Sequence, residues 1–114
     1  MLALWYADGL AYVDATTVTR ILGVDPGSRT TGYGVLDAQG NRLQYLTCGG
    51  IVPKGETLPE RLGEIFTHMR ALIEEYRPDE MAIEEVFMHR NPQSAIKLGQ
   101  ARGAAIVAAS AWGV

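Results

Sequence analysis

The order of the apolar segments is the feature that most constrains the fold of this 114-residue chain. Three short strand-like segments come first, at residues 20–25, 30–36 and 42–52. Their short connections favour antiparallel neighbours. A helix-like segment follows, then a fourth strand-like segment at 81–87 and a second helix-like segment from Pro92. Because a helical crossover separates the fourth strand from the first three, we expect it to run parallel to one of them.

Both helices carry recognisable end signals. Thr57 and Glu60 have the spacing of a capping box, apolar residues then recur at intervals of three and four, and Pro78 ends the helix. Asn91 caps the second helix, in which Pro92 occupies the tolerated first turn. Three antiparallel strands followed by helix, strand and helix predict an α/β fold with a ribonuclease H-like mixed sheet.

Composition and charge exclude several classes of protein. The apolar share of 47% and charged share of 20% are those of an ordinary globular domain. The net charge of -3 argues against coating nucleic acid by bulk electrostatics, although residues 86–114 lack acids and carry three cations, Arg90, Lys97 and Arg102. Lys97 and Arg102 lie on different sides of the helix, so a common phosphate-binding face is not established. The single Cys48 excludes an internal disulfide, and we expect it to be a small buried hydrophobe.

The first 19 residues differ from the rest of the chain. They contain two acids, no base and no clean periodicity. We interpret residues 1–19 as a leader without a family counterpart, in front of a domain at 20–114. The segment makes a poor signal peptide, and no apolar run reaches the roughly 18 to 20 residues of a membrane span, so the cytoplasm is the expected location.

Asp25 is the first candidate for chemistry. Taken alone, the tetrapeptide at 25–28 is a turn signal. Asp25 also ends an apolar strand, which places its carboxylate at the edge of the sheet where α/β proteins bind ligands. Gly27, Gly32 and Gly34 would leave the approach to this carboxylate clear of bulky side chains.

Glu84 and Glu85 interrupt the fourth apolar strand and form the second candidate. Carboxylates inside such a strand are costly unless they are paired or bound to a cation. Adjacent residues point to opposite faces, so at most one of them joins Asp25, and periodicity alone does not choose between them. Clustered carboxylates suit Mg²⁺ or Mn²⁺, whereas the alternative is an exposed Glu85 and a salt-bridged Glu84.

Phe87 is the third candidate, and its two interpretations stay open. An aromatic residue at a strand end usually belongs to the core. Beside Arg90 in a loop, it could instead stack on an unpaired base. His68 and His89 have no partner at ligand spacing, so neither is assigned to a metal.

Four segments of the chain closely resemble the RuvC family of Holliday-junction resolvases, in the same order and with a continuous match from about Arg20 to Ser110. They read ILGVDPGSRTTGYGV at 21–35, LPERL at 58–62, AIEEVFM at 82–88 and NPQSAIKLGQARGA at 91–104.

The resemblance implies a crossover junction endodeoxyribonuclease of DNA recombination and repair. Such an enzyme binds four-way junction DNA as a homodimer, works with branch-migration helicases, and cuts by Mg²⁺-assisted phosphodiester hydrolysis, with Mn²⁺ as a possible substitute. The family's first catalytic, metal-binding aspartate falls on Asp25 and its glutamate on Glu84. Its junction-contacting aromatic falls on Phe87 and a basic DNA contact on Arg90. The helix from Pro92 matches the one that pairs subunits.

The chain departs from the family pattern at its end. The family completes its site with two aspartates on a C-terminal helix, and nothing comparable precedes Val114. We therefore expect a C-terminally incomplete, N-terminal portion that is inactive alone. Two alternatives remain. The chain could be a non-catalytic DNA-binding or dimerising fragment. It could also be a nucleotide-binding domain of the actin-like or sugar-kinase type, which shares the fold and a similar phosphate loop.

Overall fold

The computed structural model of the chain describes residues 2–6, 9–13, 17–27, 29–84 and 91–114. Along the chain the elements are β1 (Leu2–Tyr6), β2 (Gly9–Val13), β3 (Thr19–Asp25), β4 (Thr31–Gln39), β5 (Arg42–Ile51), α1 (Leu58–Tyr76), β6 (Glu80–Ile83) and α2 (Pro92–Ala111). Strands β1 and β2 pair with each other in an antiparallel two-stranded sheet. The other four strands form a mixed sheet in the order β5-β4-β3-β6. The predicted order of strands and helices from residue 20 onward is confirmed.

The pairing of β6 with β3 positions the site described below. Strands β3, β4 and β5 are antiparallel neighbours, whereas β6 runs parallel to β3 after the crossover through α1, as predicted. Strand β6 is shorter than expected, because it ends at Ile83 and leaves Glu84 just beyond the strand rather than in its centre. The physical reason is the length of its partner: β3 ends at Asp25, so little backbone remains for β6 to pair with.

The two helices pack on one face of the sheet and close the hydrophobic core there. Leu22 and Val24 alternate along β3 toward the helices, as expected for a strand with one face in the core. Alanines of α2 allow that helix to approach closely. The buried cluster consists of Leu22, Val24, Val35, Ile51, Ile65, Met69, Ile73, Ala101, Ala105, Ala108 and Ala109.

The helix ends agree with the end signals. The Thr57 side chain accepts the Glu60 amide N–H, and the Glu60 carboxylate accepts the Thr57 amide N–H, so the capping box is present. Helix α1 ends at Tyr76 and is followed by Arg77 in the left-handed region at φ 48°. The Asn91 side chain accepts two amide N–H groups of the first turn of α2. In the part of the chain described, no helix is long and apolar enough to span a membrane.

Two local expectations differ from the structure. Cys48 is exposed, not buried, because it lies on edge strand β5 and on the face of the sheet opposite the helices. Strand β3 begins at Thr19, which pairs with Ala38, so the sheet starts one residue before the expected domain boundary. The pairing of β1 with β2 was not predicted, and the assignment of residues 1–19 as a leader stays a prediction.

Candidate active site

Asp25 and Glu84 lie side by side at the carboxyl ends of two parallel strands. The register pairs Val24 with Ile83, so the residues that follow them, Asp25 and Glu84, lie beside each other. The Glu84 amide donates a hydrogen bond to the Val24 carbonyl at 3.2 Å, and the Glu84 carboxyl group forms a side-chain hydrogen bond with Asp25. The structure therefore brings together the two acids that the sequence indicated, on one face of the sheet.

The contact between these acids changes how Glu84 titrates. The hydrogen bond with Asp25 raises the pKa of Glu84, and repulsion from the Asp25 charge and desolvation raise it further. Neighbouring carboxylates repel each other when both are ionised. A divalent cation that prefers oxygen ligands would remove this repulsion by binding both carboxylates. The donor set thus fits such a cation.

Small residues form the floor around the carboxylates. Gly32 lies opposite Asp25, and a Cβ atom at Gly32 would stand 3.8 Å from the Asp25 Cβ. Gly50 continues this row on β5. The adjacent row consists of small residues only, namely Ala82, Gly23, Gly34 and Cys48. Apart from Gly50, these residues line a concavity of about 810 Å³, so a flexible chain such as a sugar–phosphate backbone can approach the acids closely.

Glycine is required at position 27 by the local backbone, and not, as predicted, to keep the approach to Asp25 clear. A Cβ atom at Gly27 would collide with the Thr30 carbonyl oxygen, so the turn after β3 requires a residue without a side chain. The clear approach predicted from glycines is therefore provided by Gly32 and Gly34, and Gly27 serves the local geometry of the turn.

Arg102 of α2 contacts the backbone just beyond the carboxyl end of β6. The sequence did not indicate this contact. The Arg102 Nε donates a hydrogen bond of 3.1 Å to the Glu84 carbonyl oxygen. This contact ties the second helix to the backbone of a candidate site residue. Only its place in the segment at 91–104, which resembles the family, could have drawn attention to it, because 18 residues separate the two partners.

Four of the remaining candidates lie outside the described residues, so their roles stay predictions: Glu85, Phe87, His89 and Arg90. His68 lies exposed on α1. Within the described ranges, no group of three or more His, Cys, Asp or Glu side chains could together hold a metal ion.

Comparison with known sequences identifies related proteins. The profile of the family described as "Crossover junction endodeoxyribonuclease RuvC" matches residues 21–114. A relative of that name from Pseudoalteromonas atlantica is 58% identical over 94 residues, which are 82% of this chain and 54% of the relative. One from Methylococcus capsulatus is 54% identical over 97 residues, covering 85% of this chain and 58% of the relative. The chain thus spans somewhat more than half the length of these curated relatives.

Comparison with solved structures agrees with the fold. The Thermus thermophilus RuvC structure in complex with a Holliday junction substrate has a TM-score of 0.78 and 33% identity, covering 84% of this chain and 59% of that one. An Aquifex aeolicus PPX-GPPA enzyme matches with a TM-score of 0.54 and 13% identity, over 86% of this chain and 34% of that one, which shows a shared fold alone. The expected α/β, ribonuclease H-like fold class is confirmed.

Proposed function

Because the chain belongs to the RuvC family of crossover junction endodeoxyribonucleases, we propose that it forms part of a Holliday-junction resolvase, a structure-specific endonuclease of DNA recombination and repair. The observation that carries this proposal is the pair of carboxyl groups, Asp25 and Glu84, joined at the ends of parallel strands above a floor of small residues. Family membership favours this function over that of a nucleotide-binding domain.

Asp25 and Glu84 are the residues that would hold the divalent cation, which we propose to be Mg²⁺, with Mn²⁺ as a substitute. A bound cation of this kind polarises a phosphoryl oxygen and stabilises a departing oxygen. The chain itself supplies position: the strand register sets the spacing of the two carboxylates, and Arg102 holds the backbone of Glu84. The glycines in front of Asp25 leave room for the scissile strand.

Two further residues belong to the proposed DNA contact. We propose that Phe87 stacks on an unpaired base and that Arg90 contacts a phosphate, as their family counterparts do. A stacking contact of this kind contributes about 1–3 kcal/mol to binding. Phe87→Ala should therefore weaken junction binding by roughly that amount while thermal stability stays unchanged. A loss of stability with unchanged junction affinity would identify Phe87 as a core residue.

The outward side of α2 supports the proposed homodimer. Val107 is 57% exposed, and Gly99 and Gly103 precede it at helical spacing. A Cβ atom at either glycine would have no neighbour within 4 Å, so this stripe leaves space for the close approach of a second helix. Branch-migration helicase partners and a cytoplasmic location belong to the same proposal and rest on family membership.

The test is cleavage of a labelled four-way junction by the chain extended with the C-terminal segment of its Pseudoalteromonas atlantica relative. We expect symmetric, Mg²⁺-dependent nicks that disappear in Asp25→Asn and in Glu84→Gln. Glu75→Gln, an exposed α1 acid with the same change of charge, is the control and should cut normally. Normal cutting by Asp25→Asn would refute the site. ATP-dependent protection from unfolding would favour a nucleotide-binding domain instead.

A further inference from the structure

A second concavity, of about 690 Å³, lies between the two helices and the loops that follow β3 and β5. Three cationic side chains from three separate parts of the chain line it, and we call it the cationic groove: Arg29, Arg61 and Lys97. None of the described residues that line the groove is acidic. In a chain with a net charge of -3, this local excess of positive charge calls for an anionic occupant.

The cations of the groove are free to bind a ligand. Arg29 and Lys97 are exposed, and neither forms an ion pair with a described residue. Arg61 is half-buried, and its Nη1 donates a hydrogen bond of 3.2 Å to the Pro53 carbonyl. That anchor occupies one donor of the guanidinium and leaves the others for a ligand.

Glu64, which follows Arg61 by three residues on α1, has its own partners. The Glu64 carboxylate accepts hydrogen bonds from the backbone amides of Lys54 and Gly55, at 3.0 and 2.8 Å. These bonds, and more weakly the charge of Arg61, hold the pKa of Glu64 below its usual range. Held by the loop, the ionised Glu64 carboxylate offsets part of the charge of Arg61, whereas Arg29 and Lys97 form no ion pair with a described residue.

The cationic groove opens at the same end of β3 as the candidate active site. Gly27 lines the groove, and it follows Asp25 by only two residues. The carboxylates lie on the face of the sheet opposite the helices, whereas the groove lies on the helical side. A polymer that crosses this edge of the sheet can therefore contact both places.

We propose that the cationic groove holds backbone phosphates of a DNA strand of the substrate whose scissile phosphate lies at Asp25 and Glu84. The proposal rests on the proposed nuclease function, which supplies the choice of DNA as the polyanion. Cations from separate elements match a succession of phosphates along a strand, and the side chains of Gln93 and Gln100 at the groove can donate to phosphate or sugar oxygens. Contacts of this kind position DNA without reading its sequence.

The test is the salt dependence of four-way junction binding by the 114-residue chain, measured by fluorescence anisotropy in EDTA. We compare the wild type with the double variant Arg29→Gln/Lys97→Gln. Each lost phosphate contact lowers the slope of log K against log salt by about 0.9, so the double variant should lose about 2 in slope and bind about tenfold or more weakly at low salt. Since both side chains are exposed, the melting temperature should not change.

The matched control is Arg42→Gln/Arg77→Gln, which removes the same charge from exposed positions far from the groove. Arg42 begins β5 at the end of the sheet away from Asp25, and Arg77 follows the far end of α1. The control should keep nearly the wild-type slope. Equal losses in both double variants, an unchanged slope in the groove variant, or no junction binding at all would overturn the proposal.

Two further measurements distinguish this proposal from its alternatives. A groove effect together with normal cleavage by Asp25→Asn in the extended chain would refute the nuclease site and leave the groove as a nucleic-acid site. A poly-glutamate peptide should compete poorly with the junction. If it binds the wild type more tightly than DNA does, and the groove variant loses it, the groove binds acidic protein and the proposal fails.

Discussion

Asp25 and Glu84 repel each other when both are ionised, and the fold nevertheless holds them together. The parallel register of β3 and β6 places Asp25 and Glu84 side by side, so their side chains extend from neighbouring positions of the backbone. Neighbouring like charges that the backbone keeps in place are typical of sites that bind a cation. The proposed function follows from this unfavourable contact, because a bound divalent cation would neutralise the two charges.

Replacing Asp25 with Asn should remove both the cation site and the repulsion. We expect Asp25→Asn to lose Mn²⁺ binding in calorimetry and to show a lower Glu84 pKa than the wild type by NMR titration. Glu75→Gln should bind Mn²⁺ as the wild type does. Unchanged Mn²⁺ affinity in Asp25→Asn would refute the assignment of Asp25 as a ligand.

The same substitution has a consequence for stability with a definite sign. Because the pKa of Glu84 is raised in the folded state, folding is favoured by this group below its ordinary pKa, and that contribution is lost as the pH rises through the raised value. Asp25→Asn removes the shift, so its melting temperature should exceed that of the wild type at neutral pH. The two curves should converge below the ordinary pKa of Glu84. A wild type that is more stable at neutral pH would contradict this account.

At the scale of the elements, α1 depends on its first turn. The reciprocal hydrogen bonds of Thr57 and Glu60 satisfy amides that a helix otherwise leaves without partners. Thr57→Ala should lower the free energy of unfolding by about 1 kcal/mol in urea titrations. Thr67→Ala, at an exposed position within the same helix, should have little effect or stabilise slightly, because alanine is the better helix former. Equal losses at both positions would show that the cap contributes nothing.

Arg20 joins the last turn of α1 to the sheet and forms an ion pair within the sheet. Arg20 of β3 donates from Nε and Nη2 to the two carboxylate oxygens of Asp37 on β4, at 2.8 and 3.0 Å, and from Nη1 to the Tyr76 carbonyl at 2.8 Å. One guanidinium thus connects two strands with the end of the helix that leads into β6. This contact helps to set the position of the strand that ends beside Glu84.

The ion pair predicts a loss of stability in acid. The hydrogen bonds from Arg20 lower the pKa of Asp37, so its contribution is present above the ordinary aspartate pKa and disappears as the pH falls through the lowered value. Asp37→Asn should melt at a lower temperature than the wild type at pH 7, and the difference should shrink as the solution is acidified. A difference independent of pH would mean that the packing of residue 37, and not its charge, matters.

At the scale of the whole molecule, the described part of the chain supplies two carboxylates to the candidate site. A Mg²⁺ ion requires about six ligands, so two carboxylates leave most positions to water. We expect the 114-residue chain to bind four-way junctions without nicking them, whereas the extended chain both binds and cuts. The comparison is a gel-shift beside a cleavage assay on the same labelled junction. Symmetric Mg²⁺-dependent nicks made by the 114-residue chain would contradict this expectation.

Local sequence patterns are sufficient to predict the elements from β3 to α2 and the proximity of Asp25 to a glutamate. They are sufficient because these features depend on local signals: alternating apolar residues, a capping box, prolines at helix ends, and a strand that returns parallel after one helix. The choice of Glu84 over Glu85 came from the resemblance to a family, since alternation along a strand does not say which face meets its neighbour.

The features that combine distant parts of the chain depend on tertiary packing. The cationic groove unites Arg29, Arg61 and Lys97, each of which is an ordinary surface cation in its own segment. Arg102 contacts Glu84, and Cys48 is exposed, because of where α2 and β5 lie in relation to the sheet. Local patterns establish which face of an element is apolar, but packing in three dimensions decides which side chains then lie within reach of one another.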